Sequence, residues 1–163
     1  MWDSTTVTML LEGIVATLYM TVTSTLMAYV FGLPMGILLV LTKKDGLRPN
    51  AAVNRVLDFV VNIVRSVPFL ILLITVIPIT KAIVGRSYGS TATIVPLTIA
   101  AAPFIARMVE SSLLEVDPGV VEAAQSMGAS TWTIVSKVLL AEAKNSLIVG
   151  STIAIGTILG YSA

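Results

Sequence analysis

Four long runs of this sequence contain no charged residue, and they constrain the fold more than any other feature. A helix needs about 20 mostly apolar residues to cross the hydrocarbon core of a bilayer. Of all residues, 56% are hydrophobic and only 12% are charged, whereas soluble domains carry charge on roughly a quarter of theirs. A large soluble helical core is the alternative, but its helices would keep a polar face, which these runs lack. The runs are residues 13–42, 66–80, 87–106 and 145–163.

The runs predict an all-α membrane protein with about four transmembrane helices in a single domain, residues 1–163. The second run reaches the length of a span if it begins near Phe59, which places Arg65 close to one end. The segment 107–144 is then a loop outside the membrane. The predicted spans are residues 14–42, 59–80, 88–106 and 146–163.

The distribution of basic residues predicts which way the spans point, because cytoplasmic loops carry an excess of Lys and Arg. The loop after the first span and the segment before the fourth hold seven of the ten basic residues, and Arg65 makes eight. This distribution places the N-terminus outside and the segment 107–144 in the cytoplasm. The seven are Lys43, Lys44, Arg48, Arg55, Arg107, Lys137 and Lys144.

Several function classes lack the residues they require. The sequence contains no His and no Cys, which excludes thiol chemistry, imidazole bases and Cys/His metal sites. It contains no GxxxxGK[ST] loop to hold the phosphates of ATP. Its net charge of +1 offers no electrostatic footprint for nucleic acid. We therefore expect no enzyme activity, cofactor or metal in this chain itself, and no nucleic-acid partner.

Two segments place an arginine near a proline where a predicted span meets the cytoplasmic side. In "RSVPF", Arg65 precedes Pro68, and in "APFIAR", Arg107 follows Pro103. Such an arginine is either an anchor whose side chain reaches the headgroups or one member of an ion pair near a moving helix. The residues alone leave both interpretations open for Arg65, Pro68 and Arg107.

The predicted cytoplasmic loop contains a helix, a turn and a second helix. Asp117 suits an N-cap and Pro118 the first helical position. Gly128 suits the left-handed position after the helix, and Ser130 can cap the next one. At about 100° per residue, the first helix has a face of small apolar side chains opposite a polar face. The apolar face suits packing in a groove of a partner or against the protein's own helices. The second helix is apolar on two sides, which predicts burial on both. In the first helix the apolar face holds Val120, Ala123, Ala124 and Met127, and the polar face holds Glu122, Gln125 and Ser126.

A pattern in this loop resembles the EAA loop of ABC-importer permeases. The family pattern is Glu-Ala-Ala, three residues, a glycine, nine residues and Ile-x-Leu-Pro. This chain departs from it with Val138 for the isoleucine and Ala141 for the proline. Three further stretches, "NIVRSVPFLILL", "IVPLTIAAAPFIARMVE" and "GYSA", resemble methionine-importer permeases. The residues that match the EAA pattern are Glu122, Ala123, Ala124, Gly128 and Leu140.

The resemblance implies the transmembrane permease subunit of a type I ABC importer, located in the bacterial inner membrane. The helix from Pro118 to Met127 is then similar to the coupling helix that docks on the ATP-binding subunit. The implied partners are a second copy of the permease, two ATPase subunits that bind ATP and Mg, and an extracytoplasmic substrate-binding lipoprotein. Those permeases continue with a fifth span, so we expect this chain to be truncated before it.

Three other functions stay open at this point. A permease for another amino acid or small solute would share every feature described. A channel or secondary transporter would need no ATPase, but such proteins often carry ionisable residues deep in their spans, whereas the charges here lie near span ends. A scaffold protein would use the helix and turn only to bind a partner. Co-purification with an ATPase, together with stimulation of its ATP hydrolysis, separates an ABC permease from the channel or secondary transporter and from the scaffold.

Overall fold

The computed structural model describes residues 3–162, and this part of the chain is helical with no β-strand. Residue 163, the last of the predicted fourth span and of "GYSA", lies outside the described range. The helices are α1 (Ser4–Thr42), α2 (Ala51–Ser66), α3 (Phe69–Thr75), α4 (Ile77–Val84), α5 (Ser90–Leu114), α6 (Pro118–Ser126), α7 (Thr131–Thr133), a π-helical segment (Ile134–Leu139), α8 (Leu140–Glu142) and α9 (Lys144–Ser162).

Three of these helices, α1, α5 and α9, are long and apolar enough to cross a membrane. The bent pair α2 and α3 makes a fourth crossing if it is counted as one span. Helix α1 has 39 residues, or about 58 Å at the helical rise, and it begins ten residues before the predicted span. Helix α5 continues to Leu114, so the loop predicted to begin at residue 107 starts as helix.

The close contact of α1 with α5 organises the core. A Cβ added to Gly32 would lie 2.7 Å from the carbonyl oxygen of Ala102, and one added to Gly36 would lie 2.6 Å from that of Ala106. Only glycine allows the two backbones to approach this closely. Side chains from α1, α5 and α9 then form one buried cluster. Its members include Ala28, Leu97, Ile105, Val109, Ala154 and Ile158.

The segment predicted as a span over residues 59–80 is not one continuous helix. Helix α2 ends at Ser66 and α3 begins at Phe69, with the two axes bent by 105°. Pro68 causes the break, because proline lacks an N–H and pushes the residue before it out of the helical region. Val67 accordingly adopts φ −82° and ψ 124°.

Candidate coupling site

The segment 117–130, here called the coupling segment, is held by backbone and side-chain hydrogen bonds at both ends of α6. The Asp117 carboxylate accepts a hydrogen bond of 2.7 Å from the Gly119 N–H, and Pro118 occupies the first turn. Gly128 has φ 76°. Ser130 caps the following helix by accepting a hydrogen bond of 3.2 Å from the Thr133 N–H. These four local predictions are confirmed.

The end of α6 has the hydrogen bonds of a Schellman motif. The Ala129 N–H donates to the Ala124 carbonyl at 3.1 Å, and the Gly128 N–H donates to the Gln125 carbonyl at 2.9 Å. This pair of bonds satisfies two carbonyls that the helix end would otherwise leave without a partner. The direction of the chain after α6 is therefore set by Gly128.

The predicted apolar face of α6 is divided between the protein's own core and the surface. Ala124 is 5% exposed and belongs to the core, whereas Val120 is 42% exposed and Met127 is 82% exposed. Glu122 and Ala123 are exposed as well. Ala124 and the half-buried Val121 thus fix α6 to the fold, and the other side chains of α6 are exposed and available to a partner.

Ala124 connects α6 to the helices that enter the membrane. It lies in the same buried cluster as Leu113 of α5, Ile134 and Leu139 of the π-helical segment, and Ala143. The Ser146 hydroxyl of α9 also donates to the Ser112 hydroxyl of α5 at 2.9 Å. Ala124 therefore packs α6 against the same buried core to which α5 belongs.

The second helix of the coupling loop differs from the prediction. Burial on two sides is predicted from its apolar composition, but Trp132 is 76% exposed and Ala141 is exposed. The chain instead widens into a π-helical segment over Ile134–Leu139, in which Ile134, Val135 and Leu139 are buried. The buried residues come from both predicted sides, Ile134 from one and Val135 and Leu139 from the other. The prediction of burial on both sides therefore fails only at Trp132 and Ala141.

An ionic cluster, formed by Lys43, Asp58, Asn62, Arg107 and Glu110, joins α1, α2 and α5. Arg107 forms a salt bridge with Asp58 and donates to Glu110 at 2.6 Å and to Asn62 at 3.0 Å. Lys43 lies 3.9 Å from Glu110, which is 8% exposed. Arg107 is therefore a member of an ion pair rather than a lone interfacial anchor.

Only one of the contacts in this ionic cluster could be predicted from the sequence. Arg107 and Glu110 are three residues apart on one helix face, a spacing at which side chains meet. Asp58 is 49 residues away from Arg107 along the chain, so no periodicity relates them. Arg65, for which an ion pair was the other interpretation, forms no salt bridge within residues 3–162.

The comparison with known protein families decides the classification. Residues 28–163 match the family of binding-protein-dependent transport system inner membrane components. The chain belongs to this family of transport permeases. It is 50% identical over 162 residues to the probable D-methionine transport system permease of Vibrio cholerae, covering 99% of this chain and 72% of the relative. Against the D-methionine permease of Escherichia coli K12 it is 50% identical over 155 residues, covering 95% and 71%.

Solved structures agree with the sequence relatives. A chain of the MetNI methionine ABC transporter in an inward-facing conformation has a TM-score of 0.97 and 47% identity, covering 99% of this chain and 74% of that one. An amino acid ABC transporter at 22% identity has a TM-score of 0.65 and shares the fold. The family and the all-α permease fold predicted from the sequence are confirmed, and the chain is a multi-pass inner-membrane component of a transport system.

Proposed function

We propose that this chain is the permease subunit of an ATP-driven importer of methionine and that α6 is its coupling helix. The observation that carries the proposal is the construction of α6, which is capped at both ends, packed on the core through Ala124 and Val121, and exposed at its other side chains. The D-methionine permeases at 50% identity and the methionine ABC transporter at 47% identity support the substrate and an ATPase partner. The ATPase site belongs to that partner.

The proposed mechanism is alternating access. ATP binding brings two ATPase subunits together, and each carries a docked α6 with it. The buried cluster around Ala124 passes this displacement to α5 and α9, and the spans of two permease copies rock between inward- and outward-facing states. The family description supports an extracytoplasmic binding protein as the source of substrate.

The orientation follows from the charges. The α1–α2 loop and the coupling loop face the cytoplasm, where the ATPase acts, and the N-terminus lies outside. The exposed contacts expected with the ATPase are Glu122, Ala123 and the surface beside Gly128. We propose that Glu122 faces a basic group there, since an acid is otherwise unusual beside small apolar contact residues.

The test is uptake of radiolabelled methionine by proteoliposomes that contain the permease, its ATPase and its binding protein. Glu122→Lys is expected to reduce uptake and ATPase co-purification about tenfold or more, because like charges at a junction disfavour association by several kcal/mol. Gln125→Ala, which changes the same polar face without adding a charge, is the matched control and keeps most of both. Uptake by Glu122→Lys at the parental rate would falsify the role of α6.

Two results would favour the other function classes. Methionine uptake that needs no ATPase indicates a channel or secondary transporter. ATP-driven uptake of another amino acid, which excess methionine does not inhibit, indicates a permease for that amino acid.

A further inference from the structure

A groove with a volume of about 640 Å³ runs along the end of α1, between that helix and the second helix of the coupling loop. One wall is a stripe of α1 in which Leu33, Ile37 and Leu41 are four residues apart and therefore lie on one face. Trp132 and Val135 belong to the other wall. A cavity of about 150 Å³ holds benzene, so a groove of this volume accommodates much of an acyl chain.

Arg48 lies where the groove reaches the end of α1, and the fold holds it there. The loop after α1 turns back on the helix so tightly that a Cβ added to Gly46 would overlap the Leu41 carbonyl oxygen. The Arg48 N–H donates to the same carbonyl at 2.9 Å, and its Nε donates to the Thr131 hydroxyl at 3.4 Å. Because these bonds use the backbone and Nε, the two terminal nitrogens of the guanidinium keep their donors.

The charge of Arg48 has no acidic partner within residues 3–162. The salt bridges of this part of the chain involve Lys43 and Arg107, and no acidic residue from it lines the groove. A guanidinium presents paired N–H donors that match a phosphate. The groove therefore joins a positioned cation to an apolar surface, and this combination fits an anionic phospholipid better than a soluble phosphate.

Trp132 supports a lipid by its exposure and its position. Its large apolar ring is 76% exposed, and tryptophan is enriched where a membrane meets water. From this level the groove follows α1 inward to Leu33, which is eight residues before Leu41, or about 12 Å at the helical rise. The phosphate of a lipid can thus lie beside Arg48 while its acyl chain lies at the depth of the span.

We propose that this groove binds an anionic phospholipid of the leaflet that surrounds the end of α1. Arg48 binds the phosphate through its terminal nitrogens, Trp132 covers the upper part of the acyl chain, and the stripe from Leu33 to Leu41 contacts the rest. Basic pockets between helices on the cytoplasmic side, to which we assign this end of α1, bind anionic headgroups. Since its walls belong to α1 and to the coupling loop, the lipid bridges these two elements.

The test is native mass spectrometry of the purified permease–ATPase complex in detergent, titrated with phosphatidylglycerol or with phosphatidylcholine, which has no net charge. The parent complex is expected to bind phosphatidylglycerol saturably and about tenfold more tightly, the order that a charge-assisted hydrogen bond contributes. Arg48→Gln is expected to bind the two lipids equally. Arg48→Lys keeps the charge without the planar fork and is expected to retain part of the preference.

Two further variants separate the groove from the general charge of this end of the molecule. Arg55→Gln is the matched control, because Arg55 lies on α2 outside the groove, and it is expected to keep the parental preference. Leu38→Trp fills the groove while keeping Arg48. It is expected to lower phosphatidylglycerol binding to the level of Arg48→Gln, and it decides the matter if Arg48→Gln fails to assemble.

Three results overturn the inference. They are a parental preference in Arg48→Gln or Leu38→Trp, equal losses in Arg48→Gln and Arg55→Gln, and no saturable binding of phosphatidylglycerol by the parent complex. The last is expected if a second permease copy fills the groove. Methionine uptake does not enter this measurement, and the inference uses the membrane location of the chain rather than its substrate, so the proposed function stands or falls separately.

Discussion

Gly128 shows how much of the coupling segment depends on one backbone conformation. A Cβ at this position would meet no atom within 4 Å, so space does not select glycine here. The φ of 76° selects glycine, because a β-carbon disfavours the left-handed region by about 1–2 kcal/mol. The Schellman hydrogen bonds to Ala124 and Gln125 exist only in that conformation.

We therefore expect Gly128→Val to redirect the chain after α6 and to reduce ATPase co-purification severalfold, with normal insertion of the permease. Gly128→Asn is the matched control, since asparagine tolerates the left-handed region, and it should retain most of the association. Co-purification from detergent extracts, normalised to permease level, measures both. Equal recovery of the ATPase with Val and Asn would show that the turn does not orient α6.

At the scale of elements, the contact between α1 and α5 depends on the two glycines that let their backbones approach. Gly156 and Gly160 of α9 form the same GxxxG spacing, yet a Cβ on either would meet nothing within 4 Å. The two sequence motifs are alike, but within residues 3–162 only the pair in α1 packs closely against another helix. The GxxxG spacing allows two helix backbones to approach closely, but they do so only where another helix packs on the face that carries the glycines.

This difference makes a direct stability prediction. Gly36→Ala is expected to destabilise the permease by about 1–3 kcal/mol through overpacking against α5, a fall in Tm of about 2–4 °C per kcal/mol for a chain of this size. Gly156→Ala should instead stabilise slightly, since glycine within a helix costs about 0.5–1 kcal/mol relative to alanine. Thermal unfolding in detergent measures both, and similar Tm changes for the two variants would contradict the packing argument.

At the scale of the whole molecule, the charges divide the structure into two ends. The ionic cluster, the α1–α2 loop and the coupling segment lie near the same ends of α1, α5 and α9. Lys81, in the last turn of α4, and Arg86, in the α4–α5 loop, lie at the other end. Eight of the ten basic residues are then on the side of the proposed ATPase contact. This agrees with the positive-inside rule and with the position of α6 after α5.

Cysteine labelling tests the orientation cleanly, because the chain has no cysteine of its own. Asp45→Cys, in the exposed α1–α2 loop, is expected to resist an impermeant maleimide in intact cells and to react after permeabilisation. Ser87→Cys, in the α4–α5 loop, is expected to react in intact cells. Reversal of the two patterns would place the N-terminus inside.

Local features of this protein were determined by the sequence alone. Caps and turns involve hydrogen bonds between residues a few positions apart, so the types and spacing of Asp117, Pro118, Gly128 and Ser130 were enough to assign their positions around α6. Apolar run lengths likewise indicated a membrane fold, and the EAA pattern indicated the family. None of these inferences required knowing which helix lies beside which.

Which residues contact one another, and which are exposed, was decided by the tertiary structure alone. Arg107 pairs with Asp58 across 49 residues, Trp132 is exposed although its helix is apolar, and Arg65 lines a pocket. Each outcome depends on the register between packed helices and on the 105° break at Pro68. Helical periodicity specifies the faces of one element, whereas the partner of each face follows from how several elements pack together.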